Sequence, residues 1–156
     1  MSDPQAPALT ELLAESSIRL TETAASRDDA IQATGRALVE AGAVDESYVD
    51  AMFEREASVS TYVGEGVAIP HGTLAGKDAV KADALVVLRF PTPVDWDGNE
   101  VSVAVGIAAK GNGHIAILSQ LASILMDPDA AAALRSATTS AEVYELLAAT
   151  DDGDDD

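Results

Sequence analysis

The chain has 156 residues, 47% of them hydrophobic but only 4% aromatic, which suits one domain with an aliphatic core. It has no cysteine, which excludes disulfides, thiolate metal sites and thiol nucleophiles. The net charge of -18, from 9 Lys+Arg against 27 Asp+Glu, leaves no basic cluster of the kind nucleic-acid binding requires.

Lys77, Lys81 and Lys110 are its lysines, and so carboxylate-rich a surface fits a salt-loving source. The start, MSDPQAPALTELL, has neither the basic segment nor the apolar segment of a signal peptide. No apolar run approaches the roughly 18 residues of a membrane span. The expectation is a soluble cytoplasmic protein with no direct membrane insertion.

In chain order, residues 1–7 are polar and should fray. Leu9–Ser16 reads as a short helix and Ile18–Leu20 as a short strand. Ser26 is placed to cap a helix carrying Ile31, Thr34, Ala37, Leu38 and Ala41, and Gly42 to end it. A second helix runs from an Asp45 cap through Tyr48, Val49, Met52 and Phe53. Val59–Val63 and Val67–Ile69 read as strands around Gly64-Glu65-Gly66, and Pro70 ends the second.

Ala84–Phe90 is a strand, Pro91-Thr92-Pro93 a loop, and Trp96-Asp97-Gly98-Asn99 a hairpin turn into a strand over Glu100–Ala109. Lys110-Gly111-Asn112-Gly113 is a Gly-rich turn before His114, after which Ile115, Leu118, Leu121, Ala122 and Leu125 repeat at helical spacing. Asp127-Pro128 opens another helix, and Ser140 the last, ending near Ala149. The fold class is therefore α/β (α+β): a single domain over 1–150 with a central mixed sheet flanked by helices. Residues 151–156 form an acidic tail expected to be disordered.

His71 and His114 are the only histidines, each just beyond an apolar strand. Strand ends in an α/β sheet converge on ligand sites, so the two rings could share a pocket. A neutral imidazole is a good nucleophile near pH 7, and Gly72 clears room for an incoming group. Arg55, His114 and the amides of Gly111, Asn112 and Gly113 could surround the oxygens of a phosphoryl group; Lys110 is a weaker candidate. Two histidines with a carboxylate could instead hold a metal, although no close His spacing is present. No nucleophile elbow, Walker loop or dinucleotide fingerprint is present.

The run from Arg55 to Thr73, REASVSTYVGEGVAIPHGT, resembles the active-site signature of EIIA proteins of the fructose/mannitol type. These belong to the phosphoenolpyruvate-dependent sugar phosphotransferase system. Gly106-Ile107-Ala108-Ala109, Gly113-His114-Ile115 and Leu118-Ser119-Gln120-Leu121-Ala122 are similar to the second motif of that family. The resemblance implies a phosphotransferase that takes phosphate from phospho-HPr onto His71 and passes it to a cysteine of an EIIB protein. By the same match, Arg55 holds the phosphoryl group, His114 stabilises charge in transfer, and Glu65 orients the site.

No metal or organic cofactor is implied. Lacking Cys, the chain cannot itself carry the EIIB step, so a free-standing EIIA is expected, which meets the membrane EIIC permease only indirectly. Fructose stands ahead of mannitol as the sugar. A nitrogen-type regulatory EIIA-like protein and a metal-dependent enzyme using both histidines are the alternatives.

Overall fold

The computed structural model describes residues 12–58, 60–72, 79–109 and 113–153. Residues 1–7, expected to fray, lie outside them. Five strands, β1 (Leu13–Arg19), β2 (Tyr62–Gly64), β3 (Val67–Ala68), β4 (Ala84–Trp96) and β5 (Asn99–Ala108), form one mixed sheet in the order β1-β4-β5-β3-β2. The pairs β1–β4 and β5–β3 are parallel, and β4–β5 and β3–β2 antiparallel.

Strand period divides the core between the two faces. Leu85, Val87, Val103, Val105 and Ile107 belong to one apolar cluster, while Val86, Leu88, Phe90, Ala104 and Ala108 belong to the other. The first cluster packs beneath α3 (Gly113–Leu125), α4 (Pro128–Arg135) and α5 (Ser140–Gly153). The second packs beneath α1 (Arg27–Glu40) and α2 (Ser47–Ser58). The sheet is thus covered on both faces, which suits its near-continuous aliphatic central strands. Among the described residues, no helix is long and apolar enough to cross a membrane.

Local chemistry fixes several boundaries. Ser26 caps α1, its hydroxyl accepting the Asp29 N–H at 3.2 Å, and Asp127 caps α4 in front of Pro128. Trp96 pairs with Asn99, leaving Asp97-Gly98 as a two-residue loop. Both loop residues have positive φ, 56° and 93°, the backbone of a type I′ turn, for which Asp-Gly is a favoured sequence.

Four expectations require correction. The helix expected over Leu9–Ser16 is not formed in its described part: from Leu13 the chain is strand β1, paired with β4, and Tyr144 donates to the Leu13 carbonyl at 2.7 Å. Burial of Leu13 and Ile18 in the first cluster overrides the helix-forming Leu-Leu-Ala-Glu segment. Pro91-Thr92-Pro93 is not a loop: β4 runs through it to Trp96, with the three residues exposed and the register shifted between Arg89 and Val94. Prolines are tolerated there because they lie at an irregularity that needs no rung from their missing N–H. The second helix extends to Ser58, so Arg55 and Glu56 lie on α2, and the following strand begins only at Tyr62. Helix α5 continues past Ala149 to Gly153, so the tail from 151 starts in helical backbone; 154–156 lie outside the described residues.

Candidate functional site

Strand β3 is short, but its ladder with β5 continues past it. Val67 and Ala68 pair with Val103 and Ala104, and an isolated parallel bridge joins His71 to Ile107. The Ile107 N–H donates to the Pro70 carbonyl at 3.1 Å. His71 is therefore presented at the carboxyl end of β3, beside the carboxyl end of β5, where open α/β sheets place their ligands. The buried Val67-Ala68-Ile69 run holds the strand in the core up to that point.

The tautomer of His71 follows from one contact. Nδ1 lies 2.8 Å from the Ile69 carbonyl oxygen, which can only accept. In the neutral ring Nδ1 therefore carries the proton, and Nε2 keeps the lone pair. The residue is 9% exposed, so only a small face is open to a partner.

Helix α2 packs against the next residue. The Tyr48 hydroxyl accepts the Gly72 N–H at 2.8 Å and donates to the Ile107 carbonyl at 2.8 Å. Gly72 is forced by this approach: a Cβ there would lie 2.7 Å from Tyr48 Cε1 and 3.2 Å from the Ala51 Cβ. Burial raises the Tyr48 pKa above its ordinary 10.0, although the hydrogen bond from Gly72 works the other way. Arg55, half-buried, follows Ala51 by one helical turn on the same face. A helical Cα–Cβ bond tilts toward the N-terminus, so the Cβ of residue 55 leans toward the turn that holds Ala51.

The neighbouring Glu56 is buried and accepts three hydrogen bonds. Oε2 takes the Thr61 N–H at 3.1 Å and the Trp96 indole N–H at 2.9 Å; Oε1 takes the Thr61 hydroxyl at 2.5 Å. This carboxylate ties the end of α2 to the approach to β2 and to the β4–β5 hairpin. The sequence reading missed both Tyr48 and Glu56 as contributors to the site. Tyr48 looked like one more core residue at helical spacing. The available signal for Glu56 was its place beside Arg55, one turn beyond Met52 on the buried side of the same helix.

The other expected residues separate into two groups. Gly113 and His114 form the start of α3, the element that follows β5, whose Ile107 pairs with His71. The His114 side chain lies outside the described residues, as do Lys110, Gly111 and Asn112.

Glu65 is the remaining expected residue. It occupies the β2–β3 turn at φ 56°, with its carboxylate 3.9 Å from the Arg135 guanidinium, which also donates to the Glu65 carbonyl. It braces the start of β3 against α4. Among the described residues, no group of three or more His, Cys, Asp or Glu forms a metal site.

Comparison with known proteins agrees with this geometry. Residues 11–150 match the family described as phosphoenolpyruvate-dependent sugar phosphotransferase system, EIIA 2. The mannitol-specific phosphotransferase enzyme IIA component of Halalkalibacterium halodurans is 44% identical over 136 residues, 87% of this chain and 94% of that protein. The mannitol-specific EIICBA component of Pasteurella multocida is 42% identical over 152 residues, 94% of this chain but 24% of that longer protein. The solved complex of mannitol enzyme IIA with phosphorylated mannitol enzyme IIB from Escherichia coli contains a chain with a TM-score of 0.82 and 35% identity, covering 88% of this chain and 99% of that one. Matched across nearly its whole length, the chain belongs to the type-2 EIIA family of the sugar phosphotransferase system.

Proposed function

We propose that this chain is a cytoplasmic phosphocarrier that accepts a phosphoryl group on Nε2 of His71 from phospho-HPr and passes it to a cysteine of an EIIB protein during mannitol uptake. The observation that carries the reading is the Nδ1–H donated to the Ile69 carbonyl at 2.8 Å, which leaves Nε2 as the nucleophile at a sheet edge. The names of the relatives above favour mannitol over the fructose expected from sequence. The Escherichia coli complex supports EIIB as the receiving partner.

The chemistry balances without a cofactor. The Nε2 lone pair attacks phosphorus in line, the P–N bond to HPr breaks, and its electron pair returns to the departing imidazole. The Nδ1 proton stays on the ring of His71, where the Ile69 carbonyl stabilises the positive charge of the phosphorylated imidazole. That charge makes the ring a good leaving group. An EIIB thiolate then attacks phosphorus, and the second P–N bond breaks back to Nε2. Arg55 and His114, with the amides of Gly111, Asn112 and Gly113 at the start of α3, are assigned to the phosphoryl oxygens.

Incubation with labelled phosphoenolpyruvate, enzyme I and HPr should place acid-labile, base-stable label on this chain. His71→Gln should take none. Label retained by that variant removes the proposed acceptor.

A further inference from the structure

The ladder between β3 and β5 ends at the acceptor histidine with a side chain bonded into it. In a parallel bridge such as His71–Ile107, one rung joins the Ile107 N–H to the Pro70 carbonyl, as observed at 3.1 Å. The complementary rung would join the Ile107 carbonyl to the Gly72 N–H. The Tyr48 hydroxyl bridges these same two groups, accepting from Gly72 at 2.8 Å and donating to Ile107 at 2.8 Å.

The bridge is built into the fold. Tyr48 is 4% exposed, and its ring lies so close to Gly72 that a Cβ at 72 would sit 2.7 Å from Cε1 and 2.9 Å from Cζ. The hydroxyl thus pairs with both backbone groups at the end of the ladder.

We infer that Tyr48 is a positioning residue for phosphoryl transfer: its hydroxyl, bonded to the Gly72 N–H and the Ile107 carbonyl, fixes the His71–Gly72 peptide and thereby the line along which Nε2 meets phosphorus. This rests on the reading of His71 as acceptor. Without the hydroxyl, the Gly72 N–H and the Ile107 carbonyl lose the tether that holds them to α2, and the main chain of His71 can shift and turn the ring. In-line transfer is sensitive to such shifts, a misplacement of about 1 Å being able to cost about 100-fold in rate. Buried as it is, Tyr48 offers HPr almost no surface, so partner affinity should not change.

The test is single-turnover transfer from phospho-HPr to Tyr48→Phe. The transfer rate constant should fall roughly 10- to 100-fold, with the concentration of HPr giving half-maximal rate unchanged. In the same variant the Gly72 amide should shift in the 1H–15N spectrum, reporting loss of the hydroxyl. Placing p-aminophenylalanine at 48 restores a donor and a lone pair at the same position, and should recover most of the rate.

A Phe variant with a shifted Gly72 amide and full transfer rate overturns the inference. So does a defect confined to the half-maximal concentration, or an aminophenylalanine protein as slow as the Phe variant. Failure of the wild-type chain to take label at all would instead refute the acceptor reading.

Discussion

Replacing the buried Glu56 separates its role as an acceptor from its role as a charge. In Glu56→Ala the Trp96 N–H, the Thr61 N–H and the Thr61 hydroxyl lose their common partner. Trp96 is 0% exposed and Thr61 4%, so water cannot substitute without opening the core. Hydrogen bonds to charged groups contribute about 1.5–3 kcal/mol each, and three around one carboxylate are not additive, so a loss of about 4 kcal/mol is reasonable. At about 2–4 °C per kcal/mol for a chain of this size, the melting temperature should drop by roughly 12 °C.

Glu56→Gln differs. Its amide oxygen can take the place of Oε2 and keep both N–H donors, while its NH2 group donates to the Thr61 oxygen after the hydroxyl rotates. The bond count is preserved and only the charge assistance is lost, so the cost should be about 1 kcal/mol, or about 3 °C. Differential scanning calorimetry on the two variants reads both values. Equal melting temperatures for Ala and Gln would refute the reasoning, because the three donors would then not depend on this side chain.

Two further outcomes follow from the same region. Gly72→Ala must push the Tyr48 ring or the chain after His71, at about 1–3 kcal/mol of overpacking. Urea denaturation should register that loss, and phosphoryl acceptance should fall with it. The raised pKa of Tyr48 means that its unfolded form ionises first as the pH climbs through about 10. The stability contribution of the neutral hydroxyl is complete below that pH and is lost as the pH rises toward the folded value. Alkaline denaturation curves of wild type should therefore fall more steeply above about pH 10 than those of Tyr48→Phe.

Much of this was legible in the sequence, and for identifiable reasons. Ser26, Gly42, Asp97-Gly98 and Asp127-Pro128 act through their own backbone, so local chemistry alone placed the helix ends and the hairpin. His71 was legible because a Pro-His-Gly run after Val-Ala-Ile puts the ring at a strand end. What failed depended on partners distant in sequence. Leu13–Arg19 became a strand because β4 was there to pair with it, and Pro91–Pro93 stayed in a strand because a shifted register absorbed them. The contact of Glu65 with Arg135, seventy residues away, through both its carboxylate and its carbonyl has no motif to announce it. Tyr48 and Glu56 carried no motif of their own; their roles appear only when Gly72, Ile107, Thr61 and Trp96 are folded against them.

The nitrogen that carries the phosphate tests the account most directly. With the chain 15N-labelled at histidine and phosphorylated through HPr, two-bond and three-bond couplings of the ring distinguish the two positions. The contact between Nδ1 and the Ile69 carbonyl requires the phosphoryl group on Nε2 of His71, with Nδ1 still protonated. Phosphate on Nδ1, or on the ring of His114, would contradict it.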